Sequence, residues 1–231
     1  MAVEWKYGIV AFLDVLGFAS FVETDASTPS PQHLERLLSC LSEVRESIPP
    51  GGLDLRSFSD SIILSGVMSL DSVAEIVTAV VKLQRIFARR NVLVRGAIAY
   101  GKHFIDQDSV YSEALVRAYK LERDHARFPR VLLDLDLLDW FIHDTGCTPE
   151  LQAQISQYLL RDRDGHVFLH YLDSTLLGQH SQLLKDYETK DVTASVLEKW
   201  QWLAAYHNYI AQGSNPNLCV AGPLVVRFRS F

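Results

Sequence analysis

The chain has 231 residues and a formal net charge of −6, with 48% hydrophobic and 22% charged side chains. These values predict a globular protein with an apolar core, and the acidic balance argues against nucleic acid or an anionic membrane as the main partner. Three widely separated cysteines form no C-x-x-C pair, so neither a zinc site nor a disulfide framework is indicated. Because the N-terminus lacks the pattern of a signal peptide and no apolar run reaches the ~18 residues of a membrane span, we expect a cytoplasmic protein.

The first predicted element is an apolar run with one carboxylate in it, Gly-Ile-Val-Ala-Phe-Leu-Asp-Val-Leu-Gly-Phe over residues 8–18. Such a run predicts a buried strand, with Asp14 near its end. An unpaired carboxylate in low dielectric is costly, so we expect a cationic group to meet Asp14. A helix that begins at Gly17 would direct free N–H groups at an anion. Asp14 is therefore a candidate for binding a metal-bound phosphate, unless it only caps the following helix.

The next segments predict alternating helices and strands. A loop over 24–32 leads into a helix over 31–48, and two short strands over 53–57 and 61–67 form a hairpin with Asp60 near its tip. A helix capped by Asp71 then extends to about residue 90, followed by a strand over 92–100 that Gly101 closes. A helix over about 109–126 and a strand over 130–133 complete a β-α-β-β-α-β-α-β order. This order predicts a mixed sheet with helices packed on one face.

The remaining residues predict an extension rich in helices. We expect helices over 135–143 and 149–160, a strand over 166–172, a helical region over about 175–212 with an interruption near Thr189, and an edge strand within 218–231 that includes Val226. Four aromatic residues near the end of the helical region should pack on the core or on a second subunit. They are Trp200, Trp202, Tyr206 and Tyr209.

Asp14 and Asp60 together suggest phosphoryl transfer. One carboxylate closes a buried strand and the other lies on the hairpin. Two such groups can bridge two divalent ions about 4 Å apart, which contact the attacking and leaving oxygens of a phosphoryl transfer. Oxygen ligands favour magnesium or manganese over zinc. The alternative is that Asp60 is only a turn former.

Three segments resemble the successive signatures of class III nucleotidyl cyclases: Phe-Leu-Asp-Val-Leu-Gly-Phe at 12–18, Phe-Ser-Asp-Ser at 58–61 and Val-Arg-Gly-Ala-Ile-Ala-Tyr-Gly at 94–101. Within that superfamily the chain is similar to the bacterial pyrimidine cyclases of the Pycsar anti-phage system. The resemblance implies an α+β fold with a ferredoxin-like cyclase core, a mixed but largely antiparallel sheet, over residues 1–135. Residues 136–231 would then form a C-terminal strand and helical extension of the same domain.

The resemblance also implies a site. Asp14 and Asp60 would bind two Mn²⁺ or Mg²⁺ ions, with the Val15 carbonyl as a further ligand. Backbone amides after the strand would hold the β- and γ-phosphates, and one aromatic ring would line the nucleotide pocket. These residues are Leu16, Gly17 and Phe18 for the amides and Phe12 for the ring.

Two implied positions bear on the base. Arg56 occupies the place of the family's purine-selecting lysine, and Ser109 lies near the place of a second, usually acidic, selecting residue. Both differ from the adenylate pattern, so we do not expect adenine. The expected reaction converts UTP to 3′,5′-cyclic UMP, with CTP and cyclic CMP as the alternative and a purine cyclase as a less favoured one.

The family's transition-state Asn and Arg fall on Val116 and Lys120. Lys120 could place a cation on the α-phosphate as a point charge, whereas Val116 cannot form a hydrogen bond. Arg95, Arg117 and Arg123 are substitutes that the sequence does not rank. The alternative is that the cations between 117 and 123 form only a solvated helix face.

The resemblance further implies a homodimer, since family active sites are completed across a two-fold interface. The product would act on a separate cyclic-nucleotide-responsive effector in anti-phage defence. A different hypothesis is a non-catalytic nucleotide-binding or dimerisation module with a cyclase-like fold, which Val116 favours and the Asp14 and Asp60 pair opposes.

Overall fold

A computed structural model describes residues 4–188, 193–222 and 228–231 of the chain. Its first half contains, in order, β1 (Lys6–Val15), α1 (Phe18–Ala26), α2 (Gln32–Ser47), β2 (Asp54–Phe58), β3 (Ser61–Val67), α3 (Leu70–Ala88), β4 (Val94–Ile105), β5 (Val110–Ser112), α4 (Glu113–His125) and β6 (Val131–Leu133). Its second half contains α5 (Leu135–His143), α6 (Pro149–Ser156), β7 (Leu159–Arg161), β8 (Val167–Leu169), α7 (Leu177–Glu188), α8 (Ala194–Ser214) and β9 (Arg229–Ser230).

The strands of the described residues form one sheet in the order β2-β3-β1-β4-β6-β8-β7-β9, and β5 pairs with the far end of β4. Neighbouring strands are antiparallel except β4 and β6. The first four strands, with helices between β1 and β2 and between β3 and β4, have the ferredoxin-like arrangement. The predicted α+β class with a largely antiparallel sheet is confirmed. The strands of the extension continue the same sheet.

The two faces of β1 have different neighbours because successive strand side chains point in opposite directions. Ile9, Ala11 and Leu13 on one face belong to the main apolar core, together with buried residues of α3. The opposite face carries Phe12, whose ring meets Tyr119 of α4 edge-on with centroids 5.6 Å apart. The expectation that the helices pack on one face is therefore wrong for α4, which covers the second face.

Small residues allow α4 to approach this second face. Ala114 and Ala118, one turn apart on α4, are fully buried. Ala97 and Ala99 of β4 are also fully buried. Their size brings the helix axis close to the sheet, where a larger side chain would hold it away.

Several predicted boundaries in the core are wrong. The cap of α3 is Ser69, whose hydroxyl accepts the amide of Ser72 at 3.1 Å, and Asp71 lies inside the first turn. β4 does not close at Gly101 but continues to Ile105 and pairs with β5. α4 therefore begins at Glu113 rather than near residue 109, because strand pairing uses the preceding backbone groups.

The other differences lie outside the strands of the core. α1 extends through Ala26 into the predicted loop, and the predicted helix over 149–160 ends at Ser156. Residues 159–161 instead pair with β8 as β7, so tertiary pairing overrides the local helical pattern.

Helix α8 packs on the core, which is one of the two arrangements predicted for its aromatic residues. Trp202 and Tyr206 of α8 are buried and lie 5.5 and 5.7 Å from the ring of Phe168 in β8. The predicted edge strand is present as β9, which pairs with β7. Val226 and the predicted interruption near Thr189 lie outside the described residues. No helix in the described ranges is both long and apolar enough to cross a bilayer.

A buried ion pair joins the extension to the core. Arg130, directly before β6, is 1% exposed and pairs with Asp162, which is 2% exposed and also accepts the indole N–H of Trp202 at 2.7 Å. The Arg130 guanidinium also pairs with Asp164. On the core side, the Arg130 carbonyl accepts the amide of Gly96 in β4 at 3.1 Å. The extension is thus connected to the strand that carries Arg95.

Candidate nucleotide and metal site

The strand register places two rows of side chains on the face that α4 partly covers. Residues directly opposite each other on paired strands point to the same side of a sheet. The first row is Phe58, Ser61, Asp14 and Arg95, taken across β2, β3, β1 and β4. The second row is Arg56, Ile63, Phe12 and Ala97. Predicted residues from three distant segments therefore lie on one face.

Asp14 lies between a cation and another carboxylate. The Nε of Arg95 donates to its Oδ2 at 2.8 Å. Burial raises the pKa of the Asp14 carboxyl, the hydrogen bond and charge of Arg95 partly offset this, and the nearby Asp60 carboxylate raises the pKa further. Asp60 is held at the hairpin tip because its carbonyl accepts the Val15 amide at 2.9 Å. The structure therefore brings the two predicted carboxylates together.

The donor set at this point fits a divalent cation. The Asp60 carboxylate raises the pKa of the half-buried Asp14, and a cation shared by the two groups would offset the repulsion between them. In the described part of the chain no group of three or more His, Cys, Asp or Glu side chains could hold a metal ion. Magnesium is commonly bound through only one or two carboxylates, with substrate phosphates completing its coordination. Asp14 and Asp60 fit this kind of site, with the Val15 carbonyl as the remaining predicted ligand.

The turn after β1 carries the three backbone amides that are predicted to contact phosphate. Gly17 has φ +80°, a left-handed conformation that glycine adopts without steric cost, and α1 begins at the next residue. The first amides of a helix lack intrahelical acceptors and attract anions. The Leu16 amide, however, donates to the Leu93 carbonyl at 2.9 Å and is already engaged. Of the three predicted amides, those of Gly17 and Phe18 remain for a phosphate.

Arg56 and Ser109 lie close together although they are far apart in the chain. The part of β4 after Gly101, the turn over 106–109 and β5 form a hairpin that we call the arm. Arg56 donates through Nη2 to the Asp106 carbonyl in the arm and through Nε to Asp54 at 2.9 Å. The Asp106 carboxylate accepts the Ser109 amide at 2.7 Å. The two predicted base-selecting positions therefore lie on the same side of the site.

The structure separates the candidate cations that the sequence left unranked. Arg117 pairs with Asp134 and Asp136, both at 2.8 Å, near the start of α5. Arg123 pairs with its neighbour Asp124 on the exposed side of α4. Of these three arginines, Arg95 is the one that contacts Asp14.

Lys120 and Val116 lie on the outer side of α4. Both side chains are exposed, that of Val116 to 50%. Among the described contacts within one chain, none joins either side chain to Asp14. A role for Lys120 at the α-phosphate stays a prediction that needs either movement or a second chain.

A third carboxylate, Glu122 of α4, was not predicted. It is 3% exposed, and its Oε1 lies 2.9 Å from the Nε of Arg95. Burial raises the pKa of Glu122, the Arg95 charge lowers it, and the Asp14 charge raises it. Glu122 follows Ala114 and Ala118 at intervals of four residues, so a charged group on an otherwise small, buried helix stripe is the signal that could have revealed it.

Of three comparisons with known proteins, the one with solved structures shows the fold. No family model matches the sequence, and no curated protein matches it. Among solved structures, the adenylyl cyclase CyaB from P. aeruginosa is similar with a TM-score of 0.51 and 14% identity, over 75% of this chain and 97% of that one. The catalytic core of a rhodopsin-guanylyl cyclase with converted specificity, in complex with ATPαS, is similar with a TM-score of 0.52 and 10% identity, over 72% and 96%.

A third similar structure is the monomeric guanylyl cyclase domain of the RhoGC fusion protein from the aquatic fungus Blastocladiella emersonii. Its TM-score is 0.50 with 10% identity, over 71% of this chain and 95% of that one. The chain therefore has the α+β fold of class III nucleotidyl cyclases.

Proposed function

We propose that this protein is a nucleotidyl cyclase that converts UTP to 3′,5′-cyclic UMP and pyrophosphate with two divalent ions, Mn²⁺ or Mg²⁺. The observation that supports this proposal is the proximity of Asp14 and Asp60 at one end of the sheet, in a chain with the cyclase fold. Bound divalent ions would acidify the ribose 3′-hydroxyl and neutralise charge on the departing pyrophosphate.

The chain's own groups would bind and orient the nucleotide for this reaction. Asp14, Asp60 and the Val15 carbonyl would hold the ions, and the Gly17 and Phe18 amides would donate to the β- and γ-phosphates. The 3′-oxygen would attack the α-phosphorus in line, forming the cyclic ester as the bond to the β-phosphate oxygen breaks and the hydroxyl proton passes to solvent. No covalent protein intermediate is required.

The chemistry of Arg56 supports uracil over cytosine. A guanidinium has five N–H donors and no acceptor. The described contacts with Asp54 and Asp106 leave some of the Arg56 N–H groups available to a ligand. A base whose 4-position meets Arg56 must therefore present an acceptor there. Uracil presents a carbonyl oxygen where cytosine presents an amino donor, as thymine and cytosine do in the major groove. We therefore assign UTP as the substrate and keep CTP as the competing one.

The Arg56→Ala variant tests this assignment. We expect its kcat/KM for UTP to fall by about 10- to 100-fold, the usual effect of losing a hydrogen bond from a charged donor, while kcat/KM for CTP changes much less. The Asp54→Asn variant is the control, because it removes the partner carboxylate but keeps the Arg56 donors. An unchanged ratio of UTP to CTP turnover in Arg56→Ala would contradict the role of Arg56 in base selection.

A homodimer belongs to the same proposal. Several large apolar side chains near the site are exposed: Phe58 to 84%, Val116 to 50% and Tyr119 to 44%. Phe58 lies in the first row, beside the carboxylates, and Tyr119 contacts Phe12 of the second row. A second copy of the chain that covers these side chains would also bring its own Lys120 towards the nucleotide.

The reaction is tested by incubating purified protein with ATP, GTP, CTP and UTP separately, with Mn²⁺ and then Mg²⁺, and identifying products by mass spectrometry. We expect cyclic UMP from UTP. A cyclic purine product would contradict the assignment of the base but not the reaction. No product from any nucleotide, with folded protein, would contradict the reaction under these conditions.

The second candidate function is a nucleotide-binding or dimerisation module without catalysis. The exposed Val116 favours it, because valine cannot donate a hydrogen bond to a transition state. It predicts that nucleotides raise the melting temperature without any product. The cyclase proposal also includes an effector in anti-phage defence that responds to the cyclic product, and this part rests on the sequence resemblance alone.

A further inference from the structure

The contact between Arg95 and two carboxylates has a consequence for metal binding. The Nε of Arg95 is 2.8 Å from Asp14 Oδ2 and 2.9 Å from Glu122 Oε1, so the two acids share one N–H group. One hydrogen cannot be well aligned with both acceptors, and Glu122 Oε1 is a buried atom without a hydrogen bond of good geometry. The Arg95 guanidinium therefore lies between the Asp14 and Glu122 carboxylates and can donate a well-aligned Nε hydrogen bond to only one of them.

The two carboxylates differ in what else they can bind. Asp14 adjoins Asp60, and its side chain is 18% exposed. Glu122 lies on the same buried stripe of α4 as Ala114 and Ala118, and its side chain is only 5% exposed, which leaves no room for a hydrated cation. A divalent ion that binds Asp14 must therefore compete with Arg95 for Asp14, whereas it leaves Glu122 available to Arg95.

We propose that Glu122 is a positioning residue that holds the Arg95 guanidinium in the site when a divalent ion takes over Asp14. With the ion bound, Arg95 keeps Glu122 as its anionic partner. Without Glu122, Arg95 would have Asp14 as its one described carboxylate partner and would oppose metal binding. The proposal rests on the metal-binding part of the proposed function.

The experiment measures Mn²⁺ binding to the protein without nucleotide, by isothermal titration calorimetry, in wild type and three variants. Glu122→Gln keeps the shape of the side chain but removes its charge, and we expect Mn²⁺ to bind about tenfold more weakly, a coupling typical of residues in contact. Arg95→Gln removes the competitor for Asp14, and we expect Mn²⁺ to bind more tightly than to wild type.

The double variant Arg95→Gln/Glu122→Gln distinguishes positioning from a simple charge effect. If Glu122 acts through Arg95, its substitution should change the Mn²⁺ affinity less than about twofold once Arg95 is absent. An equal effect in both backgrounds would overturn the proposal, because Glu122 would then act on the ion directly. An unchanged affinity in the single Glu122→Gln variant, with its melting temperature preserved, would overturn it as well.

Activity separates this proposal from the proposed reaction. If wild type makes no cyclic nucleotide but the Mn²⁺ affinities follow the expected pattern, the cyclase proposal fails and the role of Glu122 stands. If wild type is active and Glu122→Gln raises neither the Mn²⁺ dissociation constant nor the Mn²⁺ concentration for half-maximal turnover, the role of Glu122 fails and the cyclase stands. A Glu122→Asp variant, which restores the charge on a shorter side chain, should recover part of the wild-type affinity.

Discussion

Replacing Asp60 with alanine is expected to reduce cyclic nucleotide formation by about a thousandfold or more, since the groups that stabilise transition-state charge commonly contribute this much. Asp60 is one of only two carboxylates assigned to the divalent ions, and alanine removes its oxygens. The hairpin should remain, because the contact that holds its tip runs from the Val15 amide to the Asp60 backbone carbonyl at 2.9 Å. The measurement is product formation from UTP with Mn²⁺, together with the melting temperature.

The matched control is Asp139→Ala, which removes a carboxylate that is 77% exposed on α5. We expect this variant to retain wild-type turnover, which excludes a general effect of reduced negative charge. Turnover within about tenfold of wild type in Asp60→Ala would contradict the two-ion assignment, because other transition-state groups rarely compensate for a lost ligand.

Replacing Arg130 with methionine is expected to destabilise the fold by about 3–5 kcal/mol, because the buried ion pair between Arg130 and Asp162 would be broken. Asp162 would retain hydrogen bonds from the Trp202 indole and the Arg163 backbone amide, and neither of these donors carries a charge. For a chain of this size such a loss corresponds to roughly 10 °C in Tm. Chemical denaturation monitored by tryptophan fluorescence measures it directly.

Arg127→Met provides the control for this prediction. Arg127 also connects the core to the extension, through Glu198 of α8 at 2.7 Å, but its side chain is 67% exposed. An exposed ion pair contributes less than about 1 kcal/mol, so this variant should unfold close to wild type. Equal destabilisation by both substitutions would show that the buried position of Arg130 has no special effect.

The local sequence was sufficient to predict the pieces that carry Asp14 and Asp60. An apolar run with a carboxylate before a glycine predicted β1 and the start of a helix, and two short apolar runs predicted the hairpin. Both are encoded over about ten to fifteen consecutive residues, through apolar patterning and turn formers. The boundaries failed where pairing between strands overrode the local pattern, as in the arm and in β7.

The sequence by itself therefore determined which carboxylates lie at strand ends and turns, and through its motifs the α+β class. The tertiary structure alone decided that Arg95 contacts Asp14, 81 residues away, that Glu122 shares this arginine, and that Arg117 and Arg123 are engaged elsewhere. The physical reason is that side-chain alternation is a local property, whereas the register between β1 and β4 and the packing of α4 depend on contacts between distant segments. Arg95 can contact Asp14 and Glu122 only once that register and that packing are formed.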